Sequence, residues 1–174
     1  MLSKEQEQYQ QLARDFTLNE IGPKAAQHDL HDRFPSEIFV QAWNLGLMTA
    51  CIPESCGGFG LGTLDGAVII EELAAGCGGI ATVVLASMAS QLPLILTATE
   101  VQKQRFLKPL AEEPLIAGYE QTSFSSQCLL PSQPGTNVHL RAKRTLTGYI
   151  VNGKTPCMIN ADTATWDYTT AYIA

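Results

Sequence analysis

Basic side chains are few, 11 Lys and Arg against 17 Asp and Glu, for a net charge of −6. A surface with that balance repels a phosphate backbone, which argues against a general nucleic-acid binder. The cations are also uneven: residues 1–121 hold 7 against 15 acids, residues 122–174 hold 4 against 2. The mildly basic second part tolerates an anionic ligand. Histidine is scarce too. His28 and His31 could share a helix face, but no third ligand stands near them and His139 is remote, so no metal site is expected. The cysteines Cys51, Cys56, Cys77, Cys128 and Cys157 form no CxxC pair and no Cys/His group at zinc spacing. An odd count without a signal peptide suits reduced, intracellular thiols. The N-terminal segment is acidic and helical in pattern, neither an apolar leader nor an Arg-rich transit peptide. Long apolar runs are missing as well. Residues 80–96 are interrupted by Thr82, Ser87, Ser90, Gln91 and Pro93, which falls short of a membrane span and reads as a buried helix.

Glycine, in contrast, is concentrated. Residues 52–72, IPESCGGFGLGTLDGAVIIEE, run a glycine-dense turn straight into an amphipathic helix that carries adjacent acids. Gly57, Gly58, Gly60 and Gly62 permit positive φ and close backbone approach. Thr63 is the expected N-cap, and Asp65 suits the helix dipole. A loop of this kind before a helix could cradle a phosphate. No Lys-Ser/Thr follows, and no GxGxxG fits after a strand, so a structural loop is the favoured reading.

With 45% hydrophobic residues the chain can bury a core. Ser3 and Gln6 have the spacing of a capping box, and Tyr9, Leu12, Ala13 and Phe16 then define one apolar face. Gly22-Pro23 is expected to stop that helix and start a short second one, and Pro35-Ser36 to open a third that ends at Gly46. Leu64, Ala67, Val68 and Glu71 continue the helical pattern. Residues 80–92 are apolar nearly all round, as in a central bundle helix, and residues 101–107 make a charged surface helix. From Leu115 the pattern changes. Residues 115–122, 138–143, 149–151 and 168–173 read as strands, Asn152-Gly153 as a hairpin turn, and residues 123–137 as a loop. The expected fold class is α+β: an N-terminal helical bundle, residues 1–114, then an incomplete β-domain, residues 115–174. A strand that reaches Ala174 leaves an uncovered edge, so the chain reads as a fragment or as a protein that needs a partner.

The words LGLMTACIPESCGGFGLGTLDGAVIIEELAAGCGGI, SQLPLIL and QKQRFLKPLAEEPLIAGY, in that order, resemble the N-terminal half of an acyl-CoA dehydrogenase, closest to the medium-chain members. The likeness runs from about Glu7 to Thr122. It implies an N-terminal helical domain, a middle β-domain and a C-terminal helical domain that is absent from this sequence. It also implies FAD, an acyl-CoA thioester substrate, an oligomer, and electron-transfer flavoprotein as the acceptor if the chain is active. The implied reaction is α,β-dehydrogenation, in which a carboxylate takes the α-proton and the β-hydride passes to the flavin. That carboxylate lies in the missing domain in most of the family, so no catalytic residue is assigned here.

Carried over residue by residue, the resemblance makes Tyr119, Gln121, Thr122, Gly135, Thr136, Cys157 and Ile159 the flavin-facing positions. Several depart from the family pattern. Ser123-Phe124-Ser125-Ser126 replaces E-P-G-A, and Pro134-Gly135-Thr136-Asn137 resembles the closing P/A-G-S-D displaced by an insertion. Cys157 stands where the family has a flavin-packing tryptophan, and Ile159 where it has a threonine. A thiol lacks an indole's stacking area, and isoleucine has no hydroxyl for a flavin edge. Two readings stay open: a rebuilt loop holds FAD with other atoms, or the flavin site is lost. The helix matching residues 80–93 lines the acyl chain in the family, which nominates Thr82, Leu85, Ala86, Ala89, Gln91 and Leu92. Plain core packing is the competing reading. Leu85 replaces an acid of the medium-chain members and makes the pocket more apolar. The expected function is therefore an acyl-CoA dehydrogenase-like flavoprotein, incomplete as given. The alternatives are a non-catalytic binding or assembly module without flavin, or the truncated product of a decayed gene. The expected location is intracellular: cytoplasmic if bacterial, mitochondrial matrix if eukaryotic.

Overall fold

The computed structural model describes residues 2–120, 140–153 and 158–168, and the backbone of 172–173. Helices come first. α1 (Lys4–Phe16) starts at the expected capping box, with Ser3 Oγ accepting from the Gln6 N–H at 3.1 Å and Gln6 Oε1 accepting from the Ser3 N–H at 3.0 Å. The chain does not break at Gly22-Pro23. A π turn, Thr17–Ile21, carries α1 directly into α2 (Gly22–His31), and the Gly22 N–H reaches back five residues to the Thr17 carbonyl. That wider turn accommodates Pro23, whose missing N–H falls in the first turn of α2. α3 (Ser36–Asn44) buries Ile38, Phe39 and Ala42, and its Trp43 indole donates to the Leu110 carbonyl at 2.8 Å.

The glycine loop folds upon itself. The N–H groups of Gly57, Gly58, Gly60 and Leu61 donate to the carbonyls of Glu54, Pro53, Ile52 and Ala50. A Cβ at Gly58 would overlap the Ile52 carbonyl oxygen, a backbone atom that cannot swing aside, so this position calls for glycine. α4 (Thr63–Gly76) follows with Gly62 at the N-cap, one residue before the expected Thr63, because Asp65 Oδ2 reaches back to the Gly62 N–H at 2.8 Å. Its buried side chains are Val68, Ile69, Glu72 and Leu73, whereas Leu64 and Glu71 face solvent. The buried stripe is thus one residue out of step with the expected one. α5 (Gly78–Thr97) is the central helix and runs on through Pro93. It is the one described helix long and apolar enough to cross a membrane, yet Ser87, Ser90 and Gln91 are buried inside the protein, and Ser87 Oγ accepts from the Ala117 N–H at 3.2 Å. α6 (Glu100–Phe106) and α7 (Lys108–Glu112) close the bundle, with Pro109 in the first turn of α7.

β1 (Ala117–Tyr119) packs against α5. β2 (Leu140–Arg144) pairs antiparallel with β3 (Tyr149–Gly153), and their turn lies at residues 145–148, where the Thr145 N–H donates to the Gly148 carbonyl. Asn152-Gly153, expected as the turn, instead sits within β3 opposite Arg141 and Leu140. Of the strand expected over residues 168–173, the described residues lie in β4 (Trp166–Tyr168), parallel to β1, and β5 (Tyr172–Ile173), parallel to β2. Helices followed by small sheets make the α+β class that the sequence implies. One apolar core joins α1, α3, α4 and α5 through Phe16, Phe39, Leu73 and Val84. A smaller one under α6 and α7 gathers Ile52, Leu107, Leu110 and Ala117, with Trp166 against it.

Candidate functional site

An open apolar groove of 560 Å³ runs between α4 and α5. α4 contributes Thr63, Gly66, Ala67 and Ile70, an i, i+3, i+4, i+7 stripe, and α5 contributes Leu85, Met88, Ala89 and Leu92 at the same spacing. Two facing stripes of small and apolar residues leave space where larger side chains would interlock. The rim is exposed, with Leu85 at 49% and Leu92 at 37%. The floor is buried and consists of Gly66 and Met88, with Cys51 beside them. The Cys51 thiol points to the Gly62 carbonyl at 3.6 Å. Burial, and secondarily the Asp65 charge, push its pKa up, so at neutral pH it stays protonated and the floor stays apolar.

Three of the acyl-pocket candidates, Leu85, Ala89 and Leu92, come together in this groove. The others do not line it. Thr82 is exposed, and its hydroxyl donates to the Gly78 carbonyl of its own helix at 2.7 Å. Gln91 turns into the protein interior at 1% exposure, and Ala86 is buried likewise. Sequence reasoning missed Cys51, Gly66, Ile70 and Met88. The glycine at position 66, within a helix otherwise rich in side chains, was the available signal.

The two adjacent acids part company. Glu71 stands on the groove rim. Glu72 points the other way and accepts from Arg14 Nε at 3.0 Å and Nη2 at 2.7 Å. The Arg14 hydrogen bonds hold its carboxyl below the usual range, against the opposing effect of burial. A second cleft of 510 Å³ contains this pair, which neutralises its charge locally.

Of the flavin-facing candidates, Gln121, Thr122, Gly135, Thr136 and Cys157 lie outside the described residues. Tyr119 and Ile159 are brought together as an antiparallel bridge, each N–H donating to the other's carbonyl at 3.1 and 3.2 Å. Tyr119 also stacks on Tyr168 with ring centroids 5.9 Å apart. The backbone of both bridge residues is therefore engaged, and Ile159 presents only hydrocarbon. Ile159 could pack against a flavin and brings no group to its polar edge. Next to Ile159, Asn160 takes φ 69° and donates to the Val83 and Ala117 carbonyls at 3.0 and 3.1 Å, which pins this turn to α5 and β1.

Comparison with known proteins matches residues 3–114 to the family model "Acyl-CoA dehydrogenase, N-terminal domain". The chain belongs to the acyl-CoA dehydrogenase family. Among its relatives is the probable medium-chain specific acyl-CoA dehydrogenase 2, mitochondrial, of Caenorhabditis briggsae, 32% identical over 98% of this chain and 40% of the relative. The short-chain specific acyl-CoA dehydrogenase of Clostridium acetobutylicum is 30% identical over 94% of this chain and 42% of the relative. Of solved structures, an acyl-CoA dehydrogenase complexed with FAD from Bacillus anthracis has TM-score 0.81 at 28% identity, covering 99% of this chain and 29% of that one. Butyryl-CoA dehydrogenase from Megasphaera elsdenii shares the fold, with TM-score 0.78 at 24% identity, over 94% of this chain and 43% of that one. This chain thus spans about 40% of the length of the curated relatives it matches.

Proposed function

We propose that this chain supplies the acyl-binding helical half, and part of the flavin-facing β-structure, of an acyl-CoA dehydrogenase-like flavoprotein. The α4–α5 groove carries this reading. Its walls recognise hydrocarbon by burial alone, as the acyl tail of a thioester requires. The relatives' names, medium-chain, short-chain and isobutyryl-CoA dehydrogenase, support an acyl-CoA as ligand. In such an enzyme FAD, when bound, supplies the hydride acceptor. Neither acid of α4 is assigned as the base: Glu72 is held by Arg14, and Glu71 stands in solvent. The base is assigned to a region beyond this chain or to a partner subunit. On the same reading the chain works in an oligomer, passes electrons to an electron-transfer flavoprotein, and resides in the mitochondrial matrix of a eukaryote or the bacterial cytoplasm.

The second reading, a non-catalytic, acyl-CoA dehydrogenase-derived binding or assembly module without flavin, is favoured by one observation: Ile159 brings no hydroxyl to the Tyr119 bridge. Two titrations of the purified chain separate the readings. Calorimetry with octanoyl-CoA is expected to show binding, and no heat at millimolar ligand sinks the first reading and leaves only an assembly role for the second. Addition of FAD followed by gel filtration is expected to leave a stoichiometric flavin absorption band. A colourless protein that still binds octanoyl-CoA establishes the second reading over the first.

A further inference from the structure

We infer that Gly66 sets how far an apolar chain reaches into the α4–α5 groove, because it leaves room for the floor made by Met88 and Cys51. The inference rests on the acyl-binding reading above and names the residue that fixes the length of the acyl chain accepted.

Gly66 lies in the first half of α4, where glycine weakens a helix, and its φ is in the ordinary range, so the backbone does not demand glycine there. Space does. A Cβ at Gly66 would stand 2.9 Å from Met88 Cε and 3.0 Å from Cys51 Sγ. Both neighbours line the groove, and exposure falls from the rim at Leu85 and Leu92 to 8% at Met88. Gly66 therefore stands at the deepest part of the groove, where the end of a hydrocarbon chain would come to rest. Met88 Cε is the far end of an unbranched, flexible side chain. An added methyl at position 66 displaces that end toward the groove, the open side, and raises the floor while the helices keep their spacing.

The test measures the affinity of butanoyl-, octanoyl- and hexadecanoyl-CoA by calorimetry for the wild-type chain, Gly66→Ala, Met88→Ala and the double variant. Each methylene displaced from the groove costs roughly fourfold in affinity. Gly66→Ala is expected to weaken octanoyl-CoA by about tenfold, the loss of one to two methylenes, and to change butanoyl-CoA by less than about twofold. Met88→Ala in the Gly66→Ala background is expected to restore octanoyl-CoA. A second readout is independent of heats: alkylation of Cys51 by N-ethylmaleimide, followed by peptide mass. Octanoyl-CoA is expected to slow it in the wild type, and less so in Gly66→Ala. An equal loss for all three chains in a folded Gly66→Ala protein overturns the inference, as does alkylation of Cys51 at one rate with and without octanoyl-CoA. If Gly66→Ala fails to fold, Met88→Ala alone decides: a shift of preference toward hexadecanoyl-CoA supports the inference, an unshifted preference overturns it. A wild-type chain that binds none of the thioesters overturns the acyl-binding reading and this inference together. Length-dependent binding that Gly66→Ala leaves unaltered overturns this inference alone.

Discussion

Asn160 shows how much one side chain can tie together. It holds a left-handed backbone conformation that asparagine tolerates better than most residues, and its amide joins α5 to β1 through two carbonyls. Asn160→Ala is expected to cost about 2–3 kcal/mol, from two lost hydrogen bonds and the loss of asparagine's tolerance of the left-handed region. Asn160→Gly should recover about 1 kcal/mol of that by relieving the backbone alone. Urea unfolding of the three proteins measures both. Glu72 makes a second residue-scale case. Its folded pKa is depressed, so its pairing with Arg14 stabilises the fold above the ordinary glutamate pKa, about 4.3. That contribution is lost as pH falls through the ordinary value toward the folded one. The thermal midpoint of the wild type should therefore fall more steeply on acidification than that of Glu72→Gln, and parallel curves would refute the assignment. The family resemblance nominated six residues of α5, and of these the helical repeat brings Leu85, Ala89 and Leu92 to the groove. Sequence spacing could not separate the roles of Glu71 and Glu72, since which of two neighbours meets Arg14, 58 residues away, depends on how α1 crosses α4.

At the scale of elements, the glycine loop before α4 has the composition of an anion cradle and the hydrogen bonding of a closed structural turn. The N–H groups of Gly57, Gly58, Gly60 and Leu61 are consumed by the loop's own carbonyls. Gly58→Ala drives a Cβ into the Ile52 backbone, which cannot swing aside as a side chain could, and is expected to destabilise by about 3 kcal/mol. Gly78→Ala meets nothing within 4 Å at the start of α5 and should stay within about 0.5 kcal/mol of wild type. Denaturant midpoints of the pair check this, and a neutral Gly58→Ala would show that the loop is not closed as described. The loop and helix were legible as elements from glycine and apolar spacing. The one-residue offset of the α4 stripe was not, because Gly66 carries no hydropathy and leaves the pattern ambiguous. The π turn was equally hidden: Gly-Pro is the usual mark of a helix end, and only the Gly22 to Thr17 bond shows that the helix continues.

Across the whole molecule, the order of helices followed by strands was legible because the apolar period changes near Leu115. The strand partners were not. β4 pairs with β1 and β5 with β2, pairings across tens of residues that local spacing does not encode. The same topology leaves β3 at the border of its sheet. All five of its residues are exposed, and Tyr149, Ile150 and Val151 present about half of their surface. Among the described strands β3 pairs with β2 alone, so its outer edge offers backbone donors and acceptors beside apolar side chains. Such an edge pairs with another strand unless something blocks it. The isolated chain is therefore expected to self-associate as its concentration rises, through β3. Ile150→Lys places a charge on that edge and should shift the sedimentation profile toward monomer without altering the far-ultraviolet spectrum. A wild-type chain that stays monomeric at every concentration would mean that this edge is covered within the chain. Association that Ile150→Lys leaves untouched would move the contact to another surface, with the exposed rim of the α4–α5 groove, Leu85 and Leu96, the next to substitute.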